Sequence, residues 1–284
     1  MGDRALIKIQ GVKRRSVFLF LLFLSLVFLI PVAVVFINSF KSRFYISSDP
    51  FSIPFGDTFV GLQNYINGLK STDFINSFLR SLFITVFSVL LIVVCTSMAA
   101  WYLVRVKNKI TSFIYTLFVF SMIVPFQMVM YTMTYVANLT SLDNLIGIIF
   151  IYLGFGSGLS VFMMSGFIKS IPKELEEAAI VDGCSQLQTF FYIIFPILQP
   201  TVITVAILNS MWIWNDYLLP YLILGTDEKT IPVAIQIAMQ GAYGSVDYGG
   251  FMAMLVCAII PIIVFYLSSQ KHIIKGVVAG AVKG

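Results

Sequence analysis

The sequence predicts an all-α polytopic membrane protein with about six transmembrane helices. Of its 284 residues, 59% are hydrophobic and only 11% are charged, whereas soluble domains carry roughly 25% charged residues. The mean hydropathy is +0.95. Because so few charges could not cover the surface of a soluble domain of this size, we expect lipid to be the main solvent of the chain.

Long apolar segments recur along the whole chain. A helix needs about 20 apolar residues to cross the hydrocarbon core. Six segments meet this requirement, at residues 17–38, 81–104, 112–136, 145–168, 200–224 and 250–269. The first follows a basic stretch, as in a signal peptide, but it is too long for one and no small-x-small cleavage site follows it. We therefore expect a retained first helix.

Lysine and arginine are distributed unevenly between the two sides that these segments define. With the N-terminus in the cytoplasm, thirteen of the 18 basic residues fall on the inner side. This bias predicts that both termini are cytoplasmic. Residues 1–16 and 270–284 are then cytoplasmic tails, and residues 169–199 form a polar cytoplasmic loop.

The sequence lacks the residues that several classes of protein function require. The one histidine is His272, and the three cysteines, Cys95, Cys184 and Cys257, do not have metal-ligand spacing. The chain therefore predicts no catalytic residues and no metal site. The dipeptide Gly-Lys is absent, so no Walker A loop can bind ATP. Basic residues spread over several short loops favour membrane orientation over nucleic-acid binding.

The 169–199 loop predicts two short helices. Ser170 is a candidate N-cap and Pro172 suits a first turn, so the first helix spans 172–181. Acidic side chains in its early turns, Glu174, Glu176 and Glu177, suit the positive end of the helix dipole. Gly183 suits the left-handed position after a helix. Residues 186–195 have apolar side chains at helical spacing and end at Pro196.

The first of these helices has features of a docking surface. Ala178 and Ala179 are small enough to let another surface approach closely, and Glu177 can bond to a basic group there. The alternative is a helix that lies on the membrane with its acids in water. Anionic inner-leaflet lipids favour basic helices in that position, which makes a protein partner the preferred interpretation.

Glu177-Ala178-Ala179, followed by Gly183, Ile193 and Pro196, resembles the EAA loop of ABC importer permeases. Phe195 stands where that pattern has leucine. The resemblance implies the type I importer permease fold, in which this loop is the coupling helix that docks on a separate ATPase subunit. It also implies that the ATPase, not this chain, binds ATP and Mg. The residues that it assigns to coupling are Glu174, Glu177, Ala178, Ala179, Asp182 and Gly183.

Three further stretches resemble the carbohydrate branch of these permeases, the MalG-like subunits. They are Gly61-Leu62-Gln63-Asn64-Tyr65, Trp214-Asn215-Asp216-Tyr217, and the tail 270–284 with its Lys275-Gly276 and Gly280-Ala281-Val282-Lys283-Gly284. This resemblance implies a bacterial cytoplasmic-membrane protein with four kinds of partner. They are a MalF-like second permease, an ATPase dimer, an extracytoplasmic solute-binding protein and a sugar, preferably an oligosaccharide.

The fifth segment carries the candidate residues for a substrate path. Their spacing of i, i+3 and i+4 predicts that Asn209, Trp212, Ile213, Asp216 and Pro220 share one face of this helix. Hydrogen-bonding groups beside an aromatic ring suit a sugar, and an acid within a span is a functional candidate. The further candidates are Asn215, Tyr217, Gln127 and Tyr131. The alternative is an interfacial aromatic belt, with the acid paired to another subunit.

Helix-breaking and helix-packing residues lie in other spans. Pro125 and Pro261 predict kinks. Gly154, Gly156 and Gly158 predict close helix packing.

Other functions remain open on the sequence. A secondary transporter could couple protons through Asp216, although no repeated halves are visible. An ABC permease for a non-sugar solute is a second alternative. A membrane enzyme would need a clustered acid–base pair or nucleophile, and the sequence has no such motif.

Overall fold

The computed structural model describes residues 2–240 and 246–281, with side chains for residues 15–239 and 246–270. The predicted all-α polytopic fold is confirmed. One isolated antiparallel bridge, between Lys41 and Phe59, accompanies the helices. Of the predicted tails, Met1 and residues 282–284 lie outside the described residues, as do residues 241–245, between the fifth and sixth predicted spans.

The helices follow one another with short connections. They are α1 (Gly2–Asn38), α2 (Arg43–Ser48), α3 (Gln63–Ser71), α4 (Phe74–Arg105), α5 (Lys109–Ser121), α6 (Phe126–Leu139), α7 (Gly147–Ile168), α8 (Glu174–Val181), α9 (Gln186–Thr189), α10 (Phe195–Ile197), α11 (Gln199–Asn215), α12 (Leu218–Leu224), α13 (Ile231–Gln240) and α14 (Tyr248–Ala281). A 3₁₀ turn covers Gly56–Thr58, and a π-helical turn at Phe190–Ile194 joins α9 to α10.

Four helices in the described residues are long and apolar enough to cross a membrane alone. They are Arg15–Asn38, Phe74–Arg105, Gly147–Ile168 and Tyr248–Gln270. Two bent pairs raise the number of crossings to six if each pair is one span: α5 with α6, bent by 108°, and the stretch Gln186–Ile197 with α11, bent by 78°.

Two predicted spans are interrupted rather than continuous. The span at 112–136 breaks between α5 and α6, where Pro125 has an extended backbone and precedes the first turn of α6. Proline has no N–H and disfavours a helical residue before it, which explains the position of the break. The span at 200–224 breaks at Asp216, which has an extended ψ of 123°. Pro261, in contrast, lies inside α14, which continues past it.

The described chain divides into two compact units. The first comprises Met1–Thr72 with Ile237–Ile259. Within it, Asn64 is buried and donates to the carbonyl oxygens of Ser39 and Lys41, both at 2.9 Å. The Tyr65 hydroxyl lies 2.7 Å from Ser39 Oγ. The stretch at 61–65 therefore holds the first loop against the end of α1.

The second unit comprises Asp73–Gln236 with Ile260–Gly284. Its centre is the packing of α4 against α7, which α5 and α11 flank. Small side chains allow this close approach. A Cβ on Gly156 would lie 2.6 Å from Ile92 Cδ1 of α4, and one on Gly158 would lie 2.8 Å from the carbonyl oxygen of Phe118 in α5. A Cβ on Gly154 would meet nothing within 4 Å. The packing role predicted for three glycines thus falls to two.

Enlarging Gly158 should destabilise the second unit, whereas enlarging Gly154 should not. In Gly158→Leu the new side chain meets backbone of α5, and such overpacking costs about 1–3 kcal/mol. Thermal unfolding of the purified protein in detergent would measure this as a lower Tm. Gly154→Leu is the matched control on the same helix, and an equal loss of Tm in both variants would contradict the packing assignment.

Candidate functional site

Helix α8 is the centre of the 169–199 loop. It begins after Pro172, at Glu174, two residues later than the sequence predicted. Ser170 does not cap it: its hydroxyl donates to the carbonyl oxygen of Phe167 at 2.7 Å, because the chain still follows the last turn of α7 there. Lys173 occupies the cap position without a side-chain bond.

The end of α8 has the geometry that the sequence predicted. Gly183 has a φ of +87°, the left-handed conformation that glycine adopts at low cost. The N–H of Cys184 donates to the carbonyl oxygen of Ala179 at 2.9 Å, and that of Gly183 to Ile180 at 3.0 Å. This pair of bonds satisfies the last carbonyls of the helix and turns the chain towards α9.

The two faces of α8 differ sharply in exposure. Glu176 and Ala179 are buried, at 9% and 4% exposed. The exposed residues of the helix and its C-terminal turn include Glu174, Glu177, Ala178, Val181, Asp182 and Gly183. Of the predicted coupling residues, Ala179 alone therefore faces inward, because it packs within the chain. The others form one acidic and apolar surface, on which Val181 is 86% exposed.

Glu176 joins α8 to the end of α4. One carboxylate oxygen accepts from Arg105 Nε at 2.7 Å and lies 2.6 Å from Arg105 Nη2, while the other accepts from Trp101 Nε1 at 3.1 Å. Arg105 Nη2 also donates to the carbonyl oxygen of Ile171 at 3.0 Å. Both charged side chains are largely buried, at 14% and 12% exposed. The contact is a charge-assisted, two-point attachment.

The family resemblance left Glu176 out of the coupling residues, and nothing in the spacing of the acids predicted that its side chain faces inward. Three glutamates lie in one helical turn, and their spacing does not show which faces inward. Arg105 lies 71 residues earlier in the chain, as the last residue of a span. A basic residue at the cytoplasmic end of a span is already explained by the distribution of lysine and arginine that sets membrane orientation. Its position therefore did not predict an ion pair with α8.

The residues that follow α8 pack against α4. Ser185 caps α9, since its Oγ accepts from Gln188 N–H at 3.3 Å and its own N–H donates to Gln188 Oε1 at 2.8 Å. Phe190 and Ile194 are fully buried, and the Phe190 ring lies 5.6 Å from that of Trp101. Leu187 and Phe191, predicted on the same apolar face, are 59% and 42% exposed.

A second polar cluster lies where α11 ends. Asp216 Oδ1 accepts from the N–H groups of Leu218 and Leu219 at 3.0 and 3.4 Å, as an N-cap does at the start of α12. Its Oδ2 accepts from the hydroxyl of Tyr152 at 3.0 Å. Tyr152, on α7, is fully buried, and its ring meets that of Trp212 edge to face at 5.4 Å. Tyr152 was not among the residues predicted from the sequence.

The predicted shared face of the fifth segment is interrupted: Asn209, Trp212 and Ile213 lie on α11, but this helix ends at Asn215, before Asp216 and Pro220. Asn209 is buried and donates to Ser160 Oγ at 3.2 Å and to the carbonyl oxygen of Val205 at 2.9 Å. Its amide therefore packs helices together rather than facing a cavity. Trp212 remains 41% exposed beside the Asp216 cluster.

Of the other candidates for the substrate path, Asn215, Gln127 and Tyr131 are exposed and Tyr217 is half-buried. Asn215 donates to the carbonyl oxygen of Met211 at 2.7 Å, and the Tyr217 ring stacks on Tyr221 at 5.4 Å. On α6, Gln127 and Tyr131 lie one turn apart and both are exposed, Tyr131 to 74%. Nowhere in the part of the chain that the structure describes do three His, Cys, Asp or Glu side chains gather in a possible metal site.

Comparison with known proteins finds related transport permeases. A permease protein from Thermoanaerobacterium thermosulfurigenes, named for the probable transport of starch degradation products, is 39% identical over 261 residues, which cover 92% of this chain and 93% of that protein. The melibiose/raffinose/stachyose import permease protein MelC of Bacillus subtilis is 35% identical, over 79% of this chain and 82% of its own.

A solved structure shows the same fold. A chain of a bacterial ABC transporter that imports the acidic polysaccharide alginate superposes with a TM-score of 0.76 at 22% identity, over 93% of this chain and 96% of that one. Residues 92–278 match the family described as "Binding-protein-dependent transport system inner membrane component". The predicted membership of the ABC importer permeases is thus confirmed, and the chain belongs to this family of inner membrane transport components.

Proposed function

We propose that this chain is the permease subunit of an ATP-driven, binding-protein-dependent importer of short oligosaccharides. It forms half of a translocation pore with a MalF-like second permease. A separate ATPase dimer binds ATP and Mg and docks on α8, and an extracytoplasmic protein delivers the sugar. Both termini and the 169–199 loop then face the cytoplasm, as the distribution of basic residues favours.

The observation that carries the proposal is the exposed face of α8. Glu174, Glu177 and Asp182 are exposed there and form no ion pair with other described residues. Ala178 and Val181 give the same face an apolar centre. A basic cleft with an apolar floor on the ATPase would complement it, because charge-assisted bonds at the edge would surround a packed centre.

The attachment through Glu176 explains how docking could drive transport. When ATP closes the ATPase dimer, α8 moves with it. Because Glu176 grips Arg105 and Trp101, the displacement passes directly to the end of α4. Helices α7 and α11 pack against α4, so the movement reaches the membrane interior as a shift of packed helices.

The sugar assignment rests on the relatives and on the exposed groups near Asp216. The names of the two relatives given above refer to starch degradation products and to melibiose, raffinose and stachyose. In this chain, Trp212 offers an aromatic face, and the exposed Asn215 beside Asp216 offers a hydrogen-bonding amide. An apolar ring beside polar groups suits the two kinds of surface of a sugar.

Reversing the charge of Glu177 should uncouple the transporter. In Glu177→Lys the docking face would repel a basic cleft, so ATPase stimulation by the loaded binding protein should fall to about a tenth or less. The assay is ATP hydrolysis by the co-purified complex in proteoliposomes. Glu228→Lys, between the fifth and sixth predicted spans, is the matched control, and normal stimulation in Glu177→Lys would contradict the docking assignment.

Removing the Glu176 carboxylate should loosen α8 from α4. Glu176→Ala leaves Arg105 and Trp101 without their partner, which we expect to cost about 3–5 kcal/mol, and Tm should fall. Glu174→Ala, on the exposed face of the same turn, should leave Tm unchanged. The double variant Arg105→Met, Glu176→Met should recover most of the loss, since it removes both charges. An unaltered Tm in Glu176→Ala would rule out this attachment.

The sugar path can be tested through Trp212. In the complete complex, Trp212→Ala should raise the KM for uptake of radiolabelled raffinose or maltotriose about tenfold, because stacking on the sugar is lost. Phe113→Ala, which removes an exposed ring of α5, should leave KM unchanged. Equal KM values in all three proteins would exclude Trp212 from the path. Uptake driven by a proton gradient without the ATPase would instead support the secondary-transporter alternative.

A further inference from the structure

A basic cavity of about 620 Å³ opens where α4 ends, α5 begins and α7 passes into residues 169–173. Four cationic side chains line it: Arg105, Lys107, Lys169 and Lys173. No acid is among the described residues that line it. A concave site with this charge attracts an anion.

Three of the four cations are not neutralised. Arg105 is committed to Glu176 and to the carbonyl oxygen of Ile171. Lys107, Lys169 and Lys173 are exposed and form no ion pair within the described part of the chain. Lys169 Nζ lies over the Tyr115 ring, 5.5 Å from its centroid, which holds one ammonium group at the wall.

The other walls of the cavity are of two kinds. Ser112 and Tyr115 contribute hydroxyl groups that can donate to phosphate oxygens. Leu103, Val104 and Ile171 contribute an apolar surface. A ligand that fills this space must therefore combine an anionic group with apolar chains.

The position of the cavity agrees with such a ligand. It lies at Arg105, where the apolar span of α4 ends, and beside Lys169, one residue after the span of α7 ends. On the neighbouring α5, Ile110 and Phe113 are 69% and 63% exposed. Aliphatic and aromatic side chains exposed at the end of a span face lipid tails, and the cationic groups then stand at headgroup level.

We propose that this cavity binds the headgroup of an anionic phospholipid, with the phosphodiester held by Lys107, Lys169 and Lys173. Basic pockets between membrane helices are typical sites for such headgroups. An acidic protein surface would also meet the charges, but it would leave the apolar wall uncovered. A bound lipid would fill the space between α5 and the residues that precede α8, and would thus stabilise the base of the docking helix.

The test uses the complete complex in detergent, to which phosphatidylglycerol, phosphatidylcholine or inorganic phosphate is added. We expect phosphatidylglycerol to raise Tm more than phosphatidylcholine. In the triple variant Lys107→Gln, Lys169→Gln, Lys173→Gln the apparent affinity for phosphatidylglycerol should fall about tenfold or more, since three attractive charges are lost. The triple variant Arg43→Gln, Lys70→Gln, Lys229→Gln removes the same net charge elsewhere and should respond like the unaltered protein.

Four results would overturn the proposal. The first is an equal loss of response in both triple variants, and the second is an equal effect of the two lipids on the unaltered protein. The third is an effect of inorganic phosphate as large as that of phosphatidylglycerol, which would identify a free phosphate as the ligand. The fourth is a triple variant of the cavity lysines that responds normally to lipid but no longer co-purifies with the ATPase subunit, which would identify an acidic protein surface as the occupant of the cavity. The Tm of each variant in phosphatidylcholine shows whether that variant folds. If the triple variant does not fold, the single variant Lys107→Gln takes its place, and we expect it to weaken the response to phosphatidylglycerol.

Discussion

The structure depends on the requirement that every backbone N–H and C=O group within lipid finds a partner. Within the spans, helical hydrogen bonds meet this requirement. At the two breaks, side chains and proline contribute to meeting it. At Asp216 the carboxylate accepts from the first N–H groups of α12, and the hydroxyl of Tyr152 holds that carboxylate in place. At the bend between α5 and α6, the residue at the break is Pro125, which has no N–H to satisfy.

The two polar clusters of the second unit both lie at helix ends. Asp216 with Tyr152 lies where α11 ends and α12 begins, and Arg105 with Glu176 lies where α4 ends and α8 begins. Between them, α4, α7 and α11 pack through small residues such as Gly156. Contiguous packed contacts therefore connect the two clusters within the second unit.

Much of the local structure could be predicted from residue types. The apolar segments, the short helix before Gly183 and its left-handed end follow from composition and backbone preference. The break at Asp216 could not be predicted from residue types, because an aspartate in an apolar segment is also compatible with a continuous helix. The helix ends there because the carboxylate accepts hydrogen bonds from the N–H groups of the residues that follow. Tyr152 gave no signal for a similar reason, since its partner is 64 residues away.

The sequence by itself determined the class of protein, the apolar segments and the presence of a short acidic helix between two of them. These properties depend on composition and on spacing over a few turns. Only the tertiary structure decided which glutamate of that helix faces inward, that Asn209 packs helices together, and that three lysines surround one cavity. Those outcomes depend on contacts between residues far apart in the chain, and local periodicity carries no information about which distant side chain a helix face will meet.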